Sequence, residues 1–223
     1  MPEKFKQLNG DDSLEIIKDY SEIMNKTKTL MELWKDYGPE NAPDQAKKEL
    51  INVMYDWQIG LTDSLKRWVE IGENITIGDL ILARINIGII IENWLKFFLT
   101  VYADDFYKEE KTKINNLCFK ELIKNFTKIA NPKIIHKKLA EFDHFLSDEQ
   151  LADEIKRREE EIRYFSSLVR WLNIIRERRN AVHAFNYSDI GNADDFLEGV
   201  RMLNNFIDFI MARLPEVESS TVF

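Results

Sequence analysis

The sequence is poor in the residues that staple, interrupt or punctuate a chain. Cys118 is its only cysteine, so an internal disulfide is excluded, no oxidising compartment is implied, and a buried thiol is expected. Eight glycines and five prolines in 223 residues, beside 44% hydrophobic and 31% charged residues, describe an ordered, helix-rich globular chain rather than a disordered one. The opening MPEKFKQLNGDDS holds no apolar signal core, and the most apolar stretch, residues 80–101, is interrupted by Arg84, Glu92 and Lys96. Neither export nor a membrane span is expected, and the chain reads as soluble and cytoplasmic.

Cofactor motifs are missing as well. There is no Walker loop, GxGxxG run, HExxH pair, Cys/His ligand grouping or DxDxDG loop. His136 and His144, with Glu141, Asp143 and Asp148 nearby, are the one grouping that suggests a metal, and their spacing matches no known ligand pattern. No metal and no cofactor are expected. Positive charge is also short: the net charge of −8 repels polyanions at long range, which argues against a broad, sequence-independent nucleic-acid binder. Any RNA contact must be local, and basic residues do cluster at 133–138 and 170–179.

What is present is helical periodicity. Leu14, Ile17, Tyr20, Met24, Leu30, Leu33 and Trp34 recur at near-helical spacing, predicting a helix over 13–37 stopped by Gly38 and Pro39. A second, over 44–71, carries Leu50, Val53, Met54, Trp57, Leu61, Leu65 and Trp68 on one face. A third, over 79–106, is apolar nearly all round and belongs at the centre of a bundle, with Thr76 and Asp79 as its N-terminal cap. Shorter helical segments are expected over 117–130 and, less clearly, 133–145. Ser147 and Gln150 form a capping-box signature for a long helix whose charged first part is solvated and whose later part packs through Phe165, Leu168, Val169, Leu172 and Ile175. Turn-forming residues at 185–191 precede a last helix over 193–214, and the tail beyond Pro215 looks frayed. No internal repeat or sustained heptad occurs. The expected fold is all-α: an irregular up-and-down bundle over 78–214 with an N-terminal helical extension over 1–77 packed on it. The five tryptophans, Trp34, Trp57, Trp68, Trp94 and Trp171, are expected in the core.

One segment looks built for chemistry. From Ile175 the chain reads IRERRNAVHAF, and on a continuous helix Arg176, Arg179, Asn180 and His183 fall at i, i+3, i+4 and i+7, along one face. Arg178, five residues before His183, joins them if the helix ends or bends between the two. Guanidinium forks bind phosphate oxygens bidentately, and an imidazole titrating near neutrality can move the proton of an attacking or leaving oxygen. RNA supplies its own nucleophile in the 2′-OH, so His183 as general base or acid, with an arginine stabilising the phosphorane, would need no metal.

Here the sequence resembles the HEPN superfamily (higher eukaryotes and prokaryotes nucleotide-binding). Its signature is an arginine, four to six intervening residues and a histidine near the end of a late helix. Arg178 to His183 fits with four intervening residues and Arg176 to His183 with six. The apolar segment ARINIGIIIENWLKFFLTVYADDF and the HAF that follows the arginines add to the likeness, which covers residues 78–214. Family members commonly carry a small polar residue, often Asn, directly after the motif arginine; Asn180 follows Arg179, which is one residue too close to His183. Which of Arg176, Arg178 and Arg179 is the motif arginine stays open. The resemblance implies a homodimer whose two Arg/His motifs form a composite, metal-independent endoribonuclease site that leaves a cyclic phosphate and a 5′-OH. It further implies a toxin or antiviral role, with an antitoxin or regulatory protein as a partner. Arg179 and Asn180 would then bind substrate, and Glu92 and Arg84, on the polar stripe Arg84, Gly88, Glu92, Lys96 of the third helix, would support the site.

Each of these residues also has a plainer reading. Cations at a helix C-terminus meet the negative end of its dipole, and His183 could cap free carbonyls there. Glu92 could simply pair with Lys96 one turn on, and Arg84 could belong to a buried structural pair. The competing function is a helical interaction or regulatory protein that binds nucleotide, RNA or protein and catalyses nothing.

Overall fold

A helix that is apolar nearly all round must be surrounded by neighbours. In the computed structural model, which describes residues 10–180 and 189–217 and their side chains except at 10–14, 135, 138, 139, 141 and 142, helix α5 (Ile77–Val101) meets that requirement. Against it pack α2 (Asp44–Leu50), α3 (Tyr55–Asp63), α4 (Leu65–Ile71), α7 (Phe119–Ile129), α9 (Asp148–Arg179) and α10 (Ala193–Met211). Ile87, Ile90, Ile91, Trp94 and Leu95 of α5 have no exposed surface. Its start is the expected cap: the Asp79 N–H donates to Thr76 Oγ1 at 3.2 Å, and the Thr76 hydroxyl donates to the Asp79 carboxylate at 2.7 Å. The architecture is all-α, with no strand among the described residues. A single hydrophobic core runs from Ile16 to Ile210, crossing the sequence boundary between the N-terminal helices and the remainder. Among the described residues no helix is long and apolar enough to cross a membrane.

Several elements depart from the sequence expectation. Helix α1 (Gly10–Asn41) does not stop at Gly38 and Pro39. A Cβ on Gly38 would fall 2.5 Å from the Trp34 ring, so the glycine makes room for a tryptophan that is 2% exposed and meets Phe97 of α5 edge-on. Pro39 lies in the last turn, where it cannot donate to the carbonyl four residues before it, and the helix runs only two residues further. The helix expected over 44–71 is broken twice. Between α2 and α3 the chain turns through residues 51–54, with Asn52 and Val53 N–H groups donating back to Glu49 and Leu50, and the Tyr55 hydroxyl reaching Leu50 O at 3.3 Å. Short pieces can each lie against α1 and α5, which one straight rod could not do. The break turns Met54 and Trp57 out of the core, to 61% and 70% exposure; the other four tryptophans are buried as expected.

The third helix ends at Val101 rather than 106. Tyr102 (φ −98°, ψ 30°) leaves helical geometry where its ring packs on Phe98 and its hydroxyl donates to the Arg213 carbonyl, and α6 (Ala103–Glu109) follows. Cys118 is exposed, not buried. It is the N-cap of α7, its sulfur facing the Glu121 N–H while Glu121 accepts from the Cys118 N–H at 2.9 Å, a position at the water-facing start of a helix. Pro132 opens α8 (Pro132–Leu139), followed by a 3₁₀ segment, Ala140–Phe145. Ser147 and Gln150 form the expected reciprocal cap of α9, and Asn192 and Asp195 form another on α10.

Candidate functional site

Helix α9 delivers its three arginines on the last turn before its C-cap, Asn180, which is exposed. Packing of Phe165, Leu168, Leu172 and Ile175 on the core fixes the rotation of the helix and so the direction of that turn. His183 lies outside the described residues, as does the segment 181–188 that carries it. The arginines fan apart. Arg179 crosses to α5, where Nη1 sits 2.9 Å from Glu92 Oε2 and the guanidinium lies 5.7 Å from the centre of the Phe119 ring. Gly88 permits this approach: a Cβ there would fall 2.9–3.1 Å from the Arg179 side-chain carbons. Arg178 turns toward the start of α10, its Nη2 3.4 Å from Asp195 Oδ1. Arg176 pairs with its neighbour Glu177 at 3.0 Å.

Glu92 therefore serves two cations. Its Oε1 pairs with Lys96 at 3.0 Å and its Oε2 with Arg179, so the carboxylate both makes the local i, i+4 pair and orients one of the candidate arginines. Arg84 behaves differently. It is 1% exposed, and its three guanidinium nitrogens donate to the carbonyls of Ile190 (3.1 Å), Asp195 (3.2 Å) and Asn192 (3.3 Å). The partner of this buried charge is main chain, more than one hundred residues away, and the Phe196 ring lies 5.6 Å beneath it. Burial, with the nearby charge of Arg178, pulls its pKa down to about 10 against the opposing pull of Asp195 and Asp189, so it stays charged at neutral pH.

Arg84 and Arg178 meet at one corner of the fold. Gly191 has φ +67°, and a Cβ there would lie 2.6 Å from the Asp195 carboxylate and 2.8 Å from the Arg178 guanidinium, so both the backbone and the space require glycine. Its N–H donates to Asp189 Oδ1 at 2.9 Å, and the Asn192 N–H to Asp195 Oδ2 at 2.9 Å. Burial pushes the Asp195 carboxyl up, but the Asn192 N–H and the charges of Arg178 and Arg84 outweigh it and hold the group below its usual range.

Of the residues the sequence singled out, the structure thus links Arg179 to Glu92 and sets Arg178 beside Arg84, while Arg176 is half-buried beside Glu177 and Asn180 is exposed. It adds Asp189, Gly191 and Asp195, which the Arg/His spacing could not reveal; the only sequence trace of them is the turn-forming DIGN and the Asn192-to-Asp195 cap. Among the described residues no group of three His, Cys, Asp or Glu side chains could hold a metal. His136 instead pairs with Glu161 at 2.8 Å, and Glu161 also binds Arg213. No family model, curated protein or solved structure matches the chain, so the chemistry of this corner is read from its own side chains.

Proposed function

We propose that the chain is a metal-independent endoribonuclease of the HEPN type, cleaving RNA at a composite site in a homodimer and serving as a toxin or antiviral effector with an antitoxin-like protein partner. The observation that carries this reading is the last turn of α9. It presents three guanidiniums just before His183 in the sequence, two of them aimed by carboxylates that, among the described residues, leave most of their donors unused. An arginine has five N–H donors, and among the described residues the single ion pairs of Arg178 with Asp195 and of Arg179 with Glu92 leave edges for phosphate oxygens. Orientation of this kind is the preorganisation that stabilises developing charge. In the proposed step the 2′-OH gives its proton to a base and attacks the adjacent phosphorus; a 2′,3′-cyclic phosphate forms as the bond to the 5′-oxygen breaks, and that oxygen takes up a proton. His183 serves one of the two proton transfers, and Arg178 or Arg176 stabilises the phosphorane.

A second reading, a non-catalytic interaction or regulatory protein, is favoured by the charge balance of the corner. Arg84, Arg176, Arg178 and Arg179 are faced by Asp189, Glu177, Asp195 and Glu92, which leaves little excess positive charge to hold RNA. Incubating a mixed RNA pool with the protein in EDTA separates the two. The enzyme reading expects cleavage with cyclic-phosphate and 5′-OH ends, reduced by about 10²–10⁴ in His183→Ala and lowered in Arg178→Lys, which keeps charge and loses the fork. Intact RNA, or cleavage unchanged in His183→Ala, rejects it.

A further inference from the structure

The elbow where α2 breaks into α3 leaves a cavity of about 320 Å³ against α5, at the lower end of the range for small-molecule sites. Its chemistry is uneven. Phe97, Val53 and Met31 give it apolar walls, Trp57 stands at its edge 70% exposed, and the polar lining is dominated by amides: Asn52, Gln58, Asn93 and Asn115. Gln58 is 4% exposed; its Nε2 donates to the Ile90 carbonyl at 3.3 Å, while its Oε1 is buried and accepts no hydrogen bond among the described residues. That acceptor has almost no surface open to the cavity, so the amides within a ligand's reach are those of Asn52, Asn93 and Asn115. The two charged groups in the lining are already engaged: Lys96 with Glu92 at 3.0 Å and Glu49 with the Tyr107 hydroxyl at 2.9 Å.

Each feature narrows the ligand. Amides offer a donor and an acceptor side by side, which matches the edge of a heterocycle carrying both. An exposed tryptophan offers a face on which any planar base stacks. With Lys96 already neutralised and Glu49 adding negative charge, a phosphate has no place inside. We infer that the elbow pocket binds a nucleobase, its ring stacked on Trp57 and its edge read by Asn93 and the neighbouring amides of Asn52 and Asn115. The base comes either from a free nucleoside or from an unpaired position in RNA. The pocket lies next to the arginine turn through the contacts Lys96 to Glu92 to Arg179. A base bound here within a strand would set which phosphodiester reaches that turn. Nucleobase binding itself does not depend on the chain cleaving RNA.

The test is calorimetric titration of the full chain with the four ribonucleosides and with single-stranded tetranucleotides of each base, in EDTA. Wild type is expected to bind at least one base, with Trp57→Ala and Asn93→Ala weakening it about tenfold or more and Val53→Trp, which fills the cavity, abolishing it. Trp57 is exposed, so Trp57→Ala is expected to keep the wild-type thermal transition and to separate lost binding from lost folding. Saturation by nucleoside alone identifies a free ligand, and tetranucleotide binding with the same dependence on Trp57 identifies a base in RNA. No binding of nucleoside or tetranucleotide at millimolar concentration, or binding indifferent to Trp57→Ala and Val53→Trp, overturns the proposal whether or not RNA is cleaved.

Discussion

Arg84 spends all three guanidinium nitrogens on main-chain carbonyls at the start of α10, and it does so at 1% exposure. Replacement by methionine keeps the packing volume and leaves three carbonyls without their charged donor. Arg84→Met is therefore expected to destabilise the fold by about 3 kcal/mol or more, read as a shift of the urea midpoint at constant slope; a change below about 1 kcal/mol would mean that water replaces the arginine. Asp195 gives the acid limb at this same corner. Its folded-state pKa lies below its ordinary value of 3.8, so its contribution is complete above that value and lost as pH falls through the lower one. Glu154, which Arg157 and Arg158 hold down to about 2, acts in the same direction. Stability should decline as pH falls below about 4, and Asp195→Asn should flatten part of that slope in denaturant titrations run between neutral pH and pH 2.5.

At the scale of elements, the local signals proved readable and the tertiary ones did not. The pairs Thr76 with Asp79 and Ser147 with Gln150 mark real helix starts because a cap is made of residues three apart. Gly38 and Pro39 read as a stop because the sequence does not show that the Trp34 ring needs the space over Gly38. Leu50, Val53, Met54 and Trp57 read as one face because periodicity assumes an unbroken rod, whereas packing on α1 and α5 breaks it at 51–54. Gly38→Ala tests the first point by the sign of its effect. Helix propensity alone favours alanine by up to about 1 kcal/mol, but a methyl 2.5 Å from the indole should make the variant less stable by about 1–3 kcal/mol in thermal or chemical unfolding.

For the molecule as a whole, the all-α class and the central place of α5 follow from composition and from one very apolar segment, since such a helix can only be buried. The arginines at 176, 178 and 179 were visible as a cluster. Of their partners Glu92 was visible on the polar stripe of α5, but Asp195 was not, because it lies on another helix and the grip of Arg84 on residues 190–195 spans more than one hundred positions. With a net charge of −8, the chain repels phosphate at long range, so any attraction to it has to be local. The most direct measurement of the central claim compares an all-ribose oligonucleotide with the same strand carrying a 2′-deoxy substitution at the cleaved position, both in EDTA. The account predicts that the ribose strand is cut to a 2′,3′-cyclic phosphate and that the substituted strand stays whole at that bond; equal cutting of both, or of neither, would contradict it.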